Sequence, residues 1–342
     1  YPLIDGVVNG CPSHLLEPQR TNYSASSELP STWTYAEFGS GSAGTITTGK
    51  TDMFGGTNAV QIDFPANADN VGINFGSTSS GLSSGDCSIS IYVKLVEKGS
   101  KNIQLRAGVG LTSIVNVNST EFKRVETSGT KAITEAFNLK LRPSAGTSSG
   151  GFSIIICHPQ EENGSYPTSY IPTSGSAVTR SAETANGAGD ASTFNDSEGV
   201  LMVEMSALAN DGTNRQISIS NGSTSQRIYL GFRTSTNEFI LSSRDSSYII
   251  ATVSDITNFN KYAFQYKTGN FKAFVNGVQY NLTLDGGLLP TGLDRLNFDD
   301  SSGNANFYGN TKQIQYFDSA LNDSDLEKIT SWTSFTDLAN GQ

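Results

Sequence analysis

Histidine and cysteine are scarce in this chain, and their scarcity limits the chemistry that it can perform. Its 342 residues include two histidines, His14 and His158, and three cysteines, Cys11, Cys87 and Cys157. So few histidines support no Ser/His/Asp or Cys/His constellation, because one imidazole would have to find distant partners. The odd cysteine count gives no disulfide framework, and Cys87 and Cys157 are predicted to be buried thiols because they lie in apolar segments. We therefore predict no catalytic residues and no enzyme.

Charged residues are also few, at 16%, and the net charge is −10 with a pI of about 4.7. We exclude nucleic acid as a partner because phosphate binding needs a basic surface. No cofactor is required, but the acidic balance suits a structural Ca²⁺, which we predict in one domain. No apolar run reaches the roughly 20 residues of a membrane-spanning helix, so no membrane insertion is expected. The opening residues lack a signal-peptide pattern and look like an internal cut of a longer chain.

Short alternating segments and turns make up most of the sequence. Aromatic residues are 10% of the chain, too many for a disordered protein. Segments such as 59–64, 87–94 and 103–107 alternate between apolar and polar residues, as half-buried strands do. Residues 152–157 are almost entirely apolar, as in a strand buried on both faces. At about 100–200 residues per domain, the length and the pattern predict two all-β sandwiches, the first of them a jelly roll.

Two prolines mark the middle of the chain. Pro167 and Pro172 fix the backbone and remove two N–H donors, so neither a helix nor a central strand can run through 164–173. The same segment carries Tyr166 and Tyr170 and is too apolar for a loose linker. We name it the strap and predict that it packs on a domain surface, with both tyrosine rings as anchors, while joining two domains.

The second half repeats the strand pattern from 200 to 317, with turns about every 8–12 residues. Asn276-Gly277 between two strand-like segments predicts a tight hairpin. One helix is predicted, over 323–331. Asn322 is its N-cap, and Asp325 can reach back to it.

Aromatic rings are the first candidates for ligand binding, because a ring face stacks on the apolar face of a sugar. Trp33, Tyr35, Phe38 and Phe54 lie close together in an otherwise polar region. Core packing is the alternative explanation for them. The same two alternatives hold for four aromatic residues of the second half: Tyr229, Phe232, Tyr248 and Tyr308.

Two pairs of adjacent carboxylates, Glu161-Glu162 and Asp299-Asp300, are the candidates for an acidic site. Neighbouring residues on a strand or turn point in opposite directions, so neither pair suits glycosidase catalysis. Hydrogen bonds to the backbone explain the first pair, and turn chemistry explains the second. The functional alternatives are Ca²⁺ ligation near a sandwich edge and a contact to a cation or sugar hydroxyl.

Two motifs resemble a family of tailed-bacteriophage structural proteins. The first is CPSHLLEPQRTN at 11–22, and the second is the strap with its flanks, from Glu162 to Arg180. Further similar motifs occur at 197–201, 207–215, 307–315 and in the helix at 321–330. The resemblance therefore covers nearly the whole chain, although His14 and the sequence His158-Pro159-Gln160 depart from it.

The resemblance implies a carbohydrate-binding-module-like jelly roll followed by a concanavalin A/laminin-G-like sandwich, with one short helix near the C-terminus. The expected division is an N-terminal arm over 1–21, the jelly roll over 22–175, a linker over 176–196 and the second sandwich over 197–337.

The resemblance also implies a virion-surface structural protein: a tail fibre, tip or decoration component that binds host-surface glycans without catalysis. Its expected partners are host polysaccharide, other virion proteins and further copies of the chain, a trimer among the options. A structural spacer or capsid decoration without sugar binding, and a glycan depolymerase domain, are the alternatives. The expected metal ligands are Glu162 and Asp300. The expected glycan-binding residues are Trp33, Tyr35, Arg215, Tyr229, Tyr248 and Asp299, with Arg215 in a loop, 210–215, that follows the first strand of the second domain.

Overall fold

The computed structural model describes residues 3–4, 7–8, 12–37, 44–66, 68, 71–75, 85–107, 111–131, 139–143, 150–282 and 284–331. Cys11 and Phe38 lie outside them, as do residues 137–138 of the segment 137–141, whose alternating pattern also predicts a strand. The described residues contain one α-helix, α1 (Asp323–Ser331), and one 3₁₀ turn, Pro30–Thr32. The remaining regular structure is β-strand, as the composition predicts.

The strands of the first half are β1 (Leu3–Ile4), β2 (Val7–Val8), β3 (His14–Leu16), β4 (Arg20–Asn22), β5 (Thr34–Glu37), β6 (Thr45–Lys50), β7 (Ala59–Phe64), β8 (Val71–Asn74), β9 (Gly85–Leu95), β10 (Lys101–Ala107), β11 (Leu111–Val117), β12 (Lys123–Lys131), β13 (Leu139–Pro143), β14 (Phe152–Asn163) and β15 (Val178–Arg180).

Those of the second half are β16 (Asn186–Ala188), β17 (Glu198–Ala207), β18 (Arg215–Ser220), β19 (Arg227–Phe232), β20 (Glu238–Ser243), β21 (Ser247–Thr252), β22 (Asn260–Lys267), β23 (Lys272–Val275), β24 (Val278–Tyr280), β25 (Leu284–Asp285), β26 (Arg295–Asn297) and β27 (Gly309–Phe317).

The first compact unit, Gln19–Ser181, is called the first sandwich. It contains two five-stranded sheets, with strand orders β11-β10-β13-β8-β5 and β12-β9-β14-β7-β6. Ile89 and Ile91 of β9 are fully buried in a core that they share with Ile103 and Leu105 of the facing sheet. The intervening residues of β9 point to the outer face, because successive side chains of a strand alternate. That outer face carries the strap.

The second compact unit, called the second sandwich, comprises Tyr1–Pro18 and Ala182–Gln342. Its sheets have the orders β16-β26-β18-β19-β20-β21-β25 and β24-β23-β22-β17-β27-β3. Helix α1 covers the outer face of the second of these sheets, where Leu326 and Ile329 pack against Met202. Strand β17 is therefore buried on both faces, which explains its continuous apolar run. The predicted class, two consecutive β-sandwiches with one short helix, is confirmed for the described residues.

Parts of the segments predicted as an arm and a linker form short paired strands. The arm, predicted over 1–21, divides after Pro18: β3 pairs with β27 of the second sandwich, whereas β4 pairs with β15 of the first. Within the predicted linker, 176–196, β16 pairs with β26. These pairings supply partners for backbone N–H and C=O groups, which an isolated arm or linker would leave to water.

Several local predictions are confirmed. Asn276 and Gly277 have φ angles of 50° and 80°, as a tight hairpin turn between β23 and β24 requires. The N–H of Asp325 donates to Asn322 Oδ1 at 2.9 Å, which caps α1. Cys87 and Cys157 are both buried. In the described part of the chain, no helix is long and apolar enough to cross a membrane.

Candidate ligand-binding surface

The strap lies across the outer face of the sheet β12-β9-β14-β7-β6 and is bonded to β14. Thr168 donates its N–H to Glu162 Oε2 at 2.8 Å and its hydroxyl to Oε1 at 2.5 Å. The N–H of Ile171 donates to Gln160 Oε1 at 2.6 Å. Two side chains of one strand thus satisfy polar groups of a segment whose prolines prevent it from pairing as a strand.

The strap is also bonded to the segment that follows β4. Asn22 Nδ2 donates to the carbonyl of Ile171 at 2.8 Å, and the N–H of Thr173 donates to Ser27 Oγ at 2.9 Å. Tyr166 is 8% exposed, with the Arg20 guanidinium 5.2 Å from its ring centroid. The predicted anchoring role of Tyr166 is therefore confirmed.

Beside the strap, a short loop presents the aromatic ring of Phe54 to solvent. Phe54 is 63% exposed, and it is the only exposed Phe, Tyr or Trp in the part of the chain that the structure describes. Asp52, which is 6% exposed, holds this loop from below. Asp52 Oδ1 accepts the N–H groups of Phe54 and Gly56 at 2.8 and 3.0 Å, and Oδ2 accepts that of Asn58 at 3.1 Å. The exposed ring is therefore carried by a fixed loop.

Three other rings surround Phe54. Tyr170 of the strap stacks with it at 6.0 Å between centroids and an interplanar angle of 20°. Tyr92 of β9 meets it edge-on at 5.8 Å, and His158 lies 5.0 Å away. We call these residues, together with Glu28, the Phe54 surface.

His158 lies at the base of the Phe54 surface and faces two carboxylates. It is 2% exposed. Its Nδ1 lies 2.9 Å from Glu28 Oε1, and its Nε2 lies 3.7 Å from Asp52 Oδ1. Glu28 also accepts the Tyr170 hydroxyl on Oε1 and Asn58 Nδ2, at 2.5 Å, on Oε2. These five polar groups come from four separate segments of the chain, since Asp52 and Asn58 share one loop.

Two neighbouring groups are held in their neutral forms. Burial raises the pKa of the Tyr170 hydroxyl, and its hydrogen bond to Glu28 raises it further. Burial also raises the pKa of the Cys157 thiol to about 12. Because the thiolate is the reactive form of cysteine, Cys157 next to His158 does not have the properties of a nucleophile.

The structure places Trp33 and Tyr35 in the core of the first sandwich. Trp33 is 5% exposed, packs edge-on against Phe75 at 5.0 Å and donates its Nε1–H to the carbonyl of Ser26 at 3.0 Å. Tyr35 is half-buried against the same core and packs against Phe64. Core packing, the alternative explanation, describes Trp33, whereas Tyr35 packs on the core and keeps part of its surface exposed.

Tyr229, Tyr248 and Asp299 lie on or beside one outer face of the second sandwich. Tyr229 and Tyr248 flank Ser242 on neighbouring strands, so their backbones are about 10 Å apart. Tyr229 is 3% exposed, its hydroxyl donates to Asp245, and the guanidinium of Arg227 covers its ring at 4.1 Å. Of the two rings, only Tyr248 is partly open.

The carboxylate of Asp299 is buried and already bonded. It accepts Asn186 Nδ2 at 2.8 Å and the N–H of Ser301 at 2.7 Å. Arg215 is likewise buried, at 2% exposure, and its Nη2 donates to both oxygens of Asp211, at 2.8 and 3.0 Å. Both residues therefore fix their own loops.

The two expected metal ligands belong to different compact units, Glu162 to the first sandwich and Asp300 to the second. Glu162 is fully buried beneath the strap. Asp300 Oδ1 accepts the N–H groups of Ser302 and Asn304. Burial alone would raise the pKa of Asp300, but these bonds and the Ser302 hydroxyl hold it below its usual range. Among the described residues, no group of three or more His, Cys, Asp or Glu could hold a metal ion, and structural Ca²⁺ stays a prediction.

Sequence reasoning placed Phe54 only within a cluster of aromatic residues and missed Glu28 and Asp52 altogether. One local signal could have distinguished Phe54 from Trp33. Asp52-Met53-Phe54-Gly55-Gly56 places two large apolar residues in a turn rich in Gly and Asp, where no strand can bury them.

Comparison with models of known protein families and with curated protein sequences gives no match. Solved structures with similarity to this chain include a CBM40, a carbohydrate-binding module, of the Ruminococcus gnavus IT-sialidase. It is 16% identical and has a TM-score of 0.35, over 43% of this chain and 94% of that one. The tandem CBM22 domains of Paenibacillus barcinonensis Xyn10C are 12% identical, with a TM-score of 0.29, over 92% of this chain and 100% of theirs. Domains LG4-5 of the mouse laminin α1 chain are 9% identical, with a TM-score of 0.28, over 92% and 96%. Such likenesses identify no ligand, because one fold serves many functions.

The Phe54 surface combines an aromatic ring with several polar groups. It offers an exposed ring on a fixed loop, with the partly exposed carboxylate of Glu28 beside it. Below the ring, Glu28 accepts hydrogen bonds from Tyr170 and Asn58, and the nitrogens of the buried His158 face Glu28 and Asp52 without a hydrogen bond. These polar groups can orient the ring, but they present no activated nucleophile to a substrate.

Proposed function

We propose that this protein binds glycans without catalysis and that the Phe54 surface of the first sandwich is the binding site. The observation that carries the proposal is the 63% exposure of Phe54 on a loop fixed by three hydrogen bonds to Asp52. One exposed apolar side chain is ordinary on a protein surface. Phe54 differs because its ring is held on a fixed loop and is grouped with the rings of Tyr92, His158 and Tyr170. A flat ring beside hydrogen-bonding groups fits a pyranose, which has an apolar face and a rim of hydroxyls.

The rigidity of the loop that carries Phe54 also supports a binding role. Because Phe54 is already ordered, little conformational entropy is lost when a ligand stacks on it. One ring gives only weak affinity, so tight attachment to a surface would come from several copies of the chain acting together.

Binding is tested with a glycan array of host envelope polysaccharides, followed by titration of the best binder. We expect Phe54→Ala to weaken binding at least about tenfold, or ~1.4 kcal/mol, because the stacking face is lost. Ile114→Ala is the matched control, since Ile114 is 59% exposed in the same sandwich but lies on β11. The proposal would be contradicted if the protein bound no glycan on the array. It would also be contradicted if Phe54→Ala and Ile114→Ala lost the same amount of affinity. In the first case a structural spacer becomes the better explanation.

The proposed setting is the surface of a bacteriophage virion, as a tail-fibre, tip or decoration component. The motif at 11–22 and the strap support it, because they resemble those of tailed-phage structural proteins. Host polysaccharide, other virion proteins and a homo-oligomer are the partners that this setting implies. Release of reducing ends from the same polysaccharides would instead favour the depolymerase alternative.

A further inference from the structure

His158 occupies an unusual backbone position. Its φ angle is +55°, in the left-handed region that only a few per cent of non-glycine residues adopt, with Asn, Asp and His the most frequent among them. It lies where the register of β14 against β9 shifts between Cys157 and Gln160. Bulges of this kind re-aim a side chain, and backbone strain that persists in a fold commonly marks a functional position. Here the bulge turns the imidazole beneath Phe54.

Every element packed around His158 contributes a polar or titratable group. Its ring nitrogens face Glu28 and Asp52, and the rings of Tyr170 and Tyr92 lie 4.6 and 6.2 Å away. The Cys157 thiol precedes it on β14, and Lys94 of β9 lies near that thiol. Arg124 of β12 lies behind Tyr92, with its guanidinium 5.9 Å from that ring. The two carboxylates are therefore the groups that lie next to the ring nitrogens of His158.

Only the protonated ring is attracted by its charge to both carboxylates at once, since Nδ1 lies 2.9 Å from Glu28 and Nε2 3.7 Å from Asp52, and neither nitrogen makes a hydrogen bond of good geometry. An imidazolium has two N–H donors, whereas a neutral imidazole has one donor and one lone pair. The neutral ring must therefore turn its lone pair towards either Glu28 or Asp52. Asp52 remains an anion: burial alone would raise its pKa, but three backbone N–H groups hold that pKa below its usual range. A lone pair facing a buried carboxylate is repulsive.

Both carboxylates control rings of the Phe54 surface. Asp52 fixes the loop that carries Phe54, and Glu28 holds the hydroxyl of Tyr170, whose ring stacks on Phe54. A change in the charge of His158 therefore acts on both stacked rings at once.

We propose that His158 is the positioning residue of the Phe54 surface. Its protonation holds Phe54 and Tyr170 in their stacked arrangement, and its deprotonation loosens them and weakens ligand binding. This inference rests on the proposed function, since it concerns the regulation of the same site.

The coupling is tested first without any ligand. The chain has only two histidines, so both imidazoles can be followed by NMR during a pH titration. His14, which is exposed in the second sandwich, serves as the internal reference. We expect the ring signals of Phe54 and Tyr170 to change with the midpoint of His158, not with that of His14. The change should vanish in His158→Asn, because asparagine tolerates the left-handed backbone but takes up no proton.

Binding is then measured against pH with purified host-envelope polysaccharide immobilised on a sensor surface. We expect affinity to fall about fivefold or more as pH rises through the His158 titration, the scale of an ordinary coupling between two sites. Saturation with polysaccharide should move the His158 midpoint to higher pH, because such coupling is reciprocal. His158→Asn should abolish the pH dependence, whereas His14→Asn should retain it.

The two failures can be told apart. The inference is overturned if the ring signals of Phe54 and Tyr170 do not change with the protonation of His158. It is also overturned if the affinity for polysaccharide stays constant over the same pH range. Ring signals that follow His158 in a protein that binds no polysaccharide at any pH support the positioning role and overturn the proposed function instead.

Discussion

Asp52 and Asp190 make similar local contacts, yet their substitution should have different consequences. Asp52 is buried and uses both carboxylate oxygens to accept backbone N–H groups. Asp190 is exposed, and its Oδ1 alone accepts the bonds of Ser192 and Thr193. Asparagine retains one acceptor oxygen. It can therefore accept all the hydrogen bonds that Asp190 accepts, but only those made to one of the two oxygens of Asp52.

We expect Asp52→Asn to lower the free energy of unfolding of the first sandwich by about 1–3 kcal/mol, because a buried donor loses its partner. Asp190→Asn should change stability by less than about 0.5 kcal/mol. Urea denaturation followed by intrinsic fluorescence measures both. Equal effects would show that Asp52 is not the anchor of the loop.

Asp52 should also make the stability of the first sandwich depend on pH in the acidic range. The pKa of Asp52 is lower in the folded protein than in the unfolded chain. Its contribution is therefore fully present above the unfolded pKa and is lost as pH falls through the folded pKa. Wild type should lose stability over this acidic range faster than Asp52→Asn. Parallel pH profiles for the two proteins would contradict this prediction.

At the scale of elements, the strap depends on one buried carboxylate. Glu162 is fully buried and accepts both the N–H and the hydroxyl of Thr168. We expect Thr168→Val to cost about 1.5–3 kcal/mol, because a charged acceptor loses a hydrogen bond without gaining water. Thr179→Val is the control, since the Thr179 hydroxyl bonds that of Thr21 at the surface, where water can replace it.

The strap experiment has a second readout. Hydrogen exchange of the Ile171 amide, which is bonded to Gln160, should accelerate in Thr168→Val and stay slow in Thr179→Val. Unchanged exchange in both variants would mean that the prolines and the tyrosine rings hold the strap without Glu162.

At the scale of the molecule, each compact unit has its own core, so thermal unfolding should show two transitions. Removal of residues 1–18 deletes β3 and the buried side chain of Leu16 from the second sandwich. Burial of one leucine contributes about 1.5–3 kcal/mol, and each kcal/mol shifts Tm by about 2–4 °C for a domain of this size. We expect the transition of the second sandwich to fall by about 5 °C, as measured by calorimetry.

Trp33→Phe identifies the other transition, because Trp33 belongs to the core of the first sandwich. If removal of residues 1–18 lowers the transition that Trp33→Phe also lowers, the assignment of β3 to the second sandwich fails.

Features that depend on neighbours along the chain followed from the sequence. Asn276-Gly277 formed its turn, Asn322 capped its helix, and the prolines kept the strap from pairing as a strand. The alternating segments also became strands, because alternation matches the pleat of a half-buried sheet. These signals act within a few residues and need no knowledge of the fold.

Tertiary structure decided which aromatic rings are buried and which polar groups meet. Sequence analysis grouped Trp33 with Phe54 as aromatic candidates, yet one is 5% exposed and the other 63%. Trp33 is buried by strands far away in the chain, whereas Phe54 lies in a turn rich in Gly and Asp. Glu28, Asp52, His158 and Tyr170 lie in four distant segments and become neighbours only when the strap crosses β14. The sequence by itself determined an all-β chain with a proline-stiffened strap. Long-range packing alone placed the candidate binding surface beside that strap.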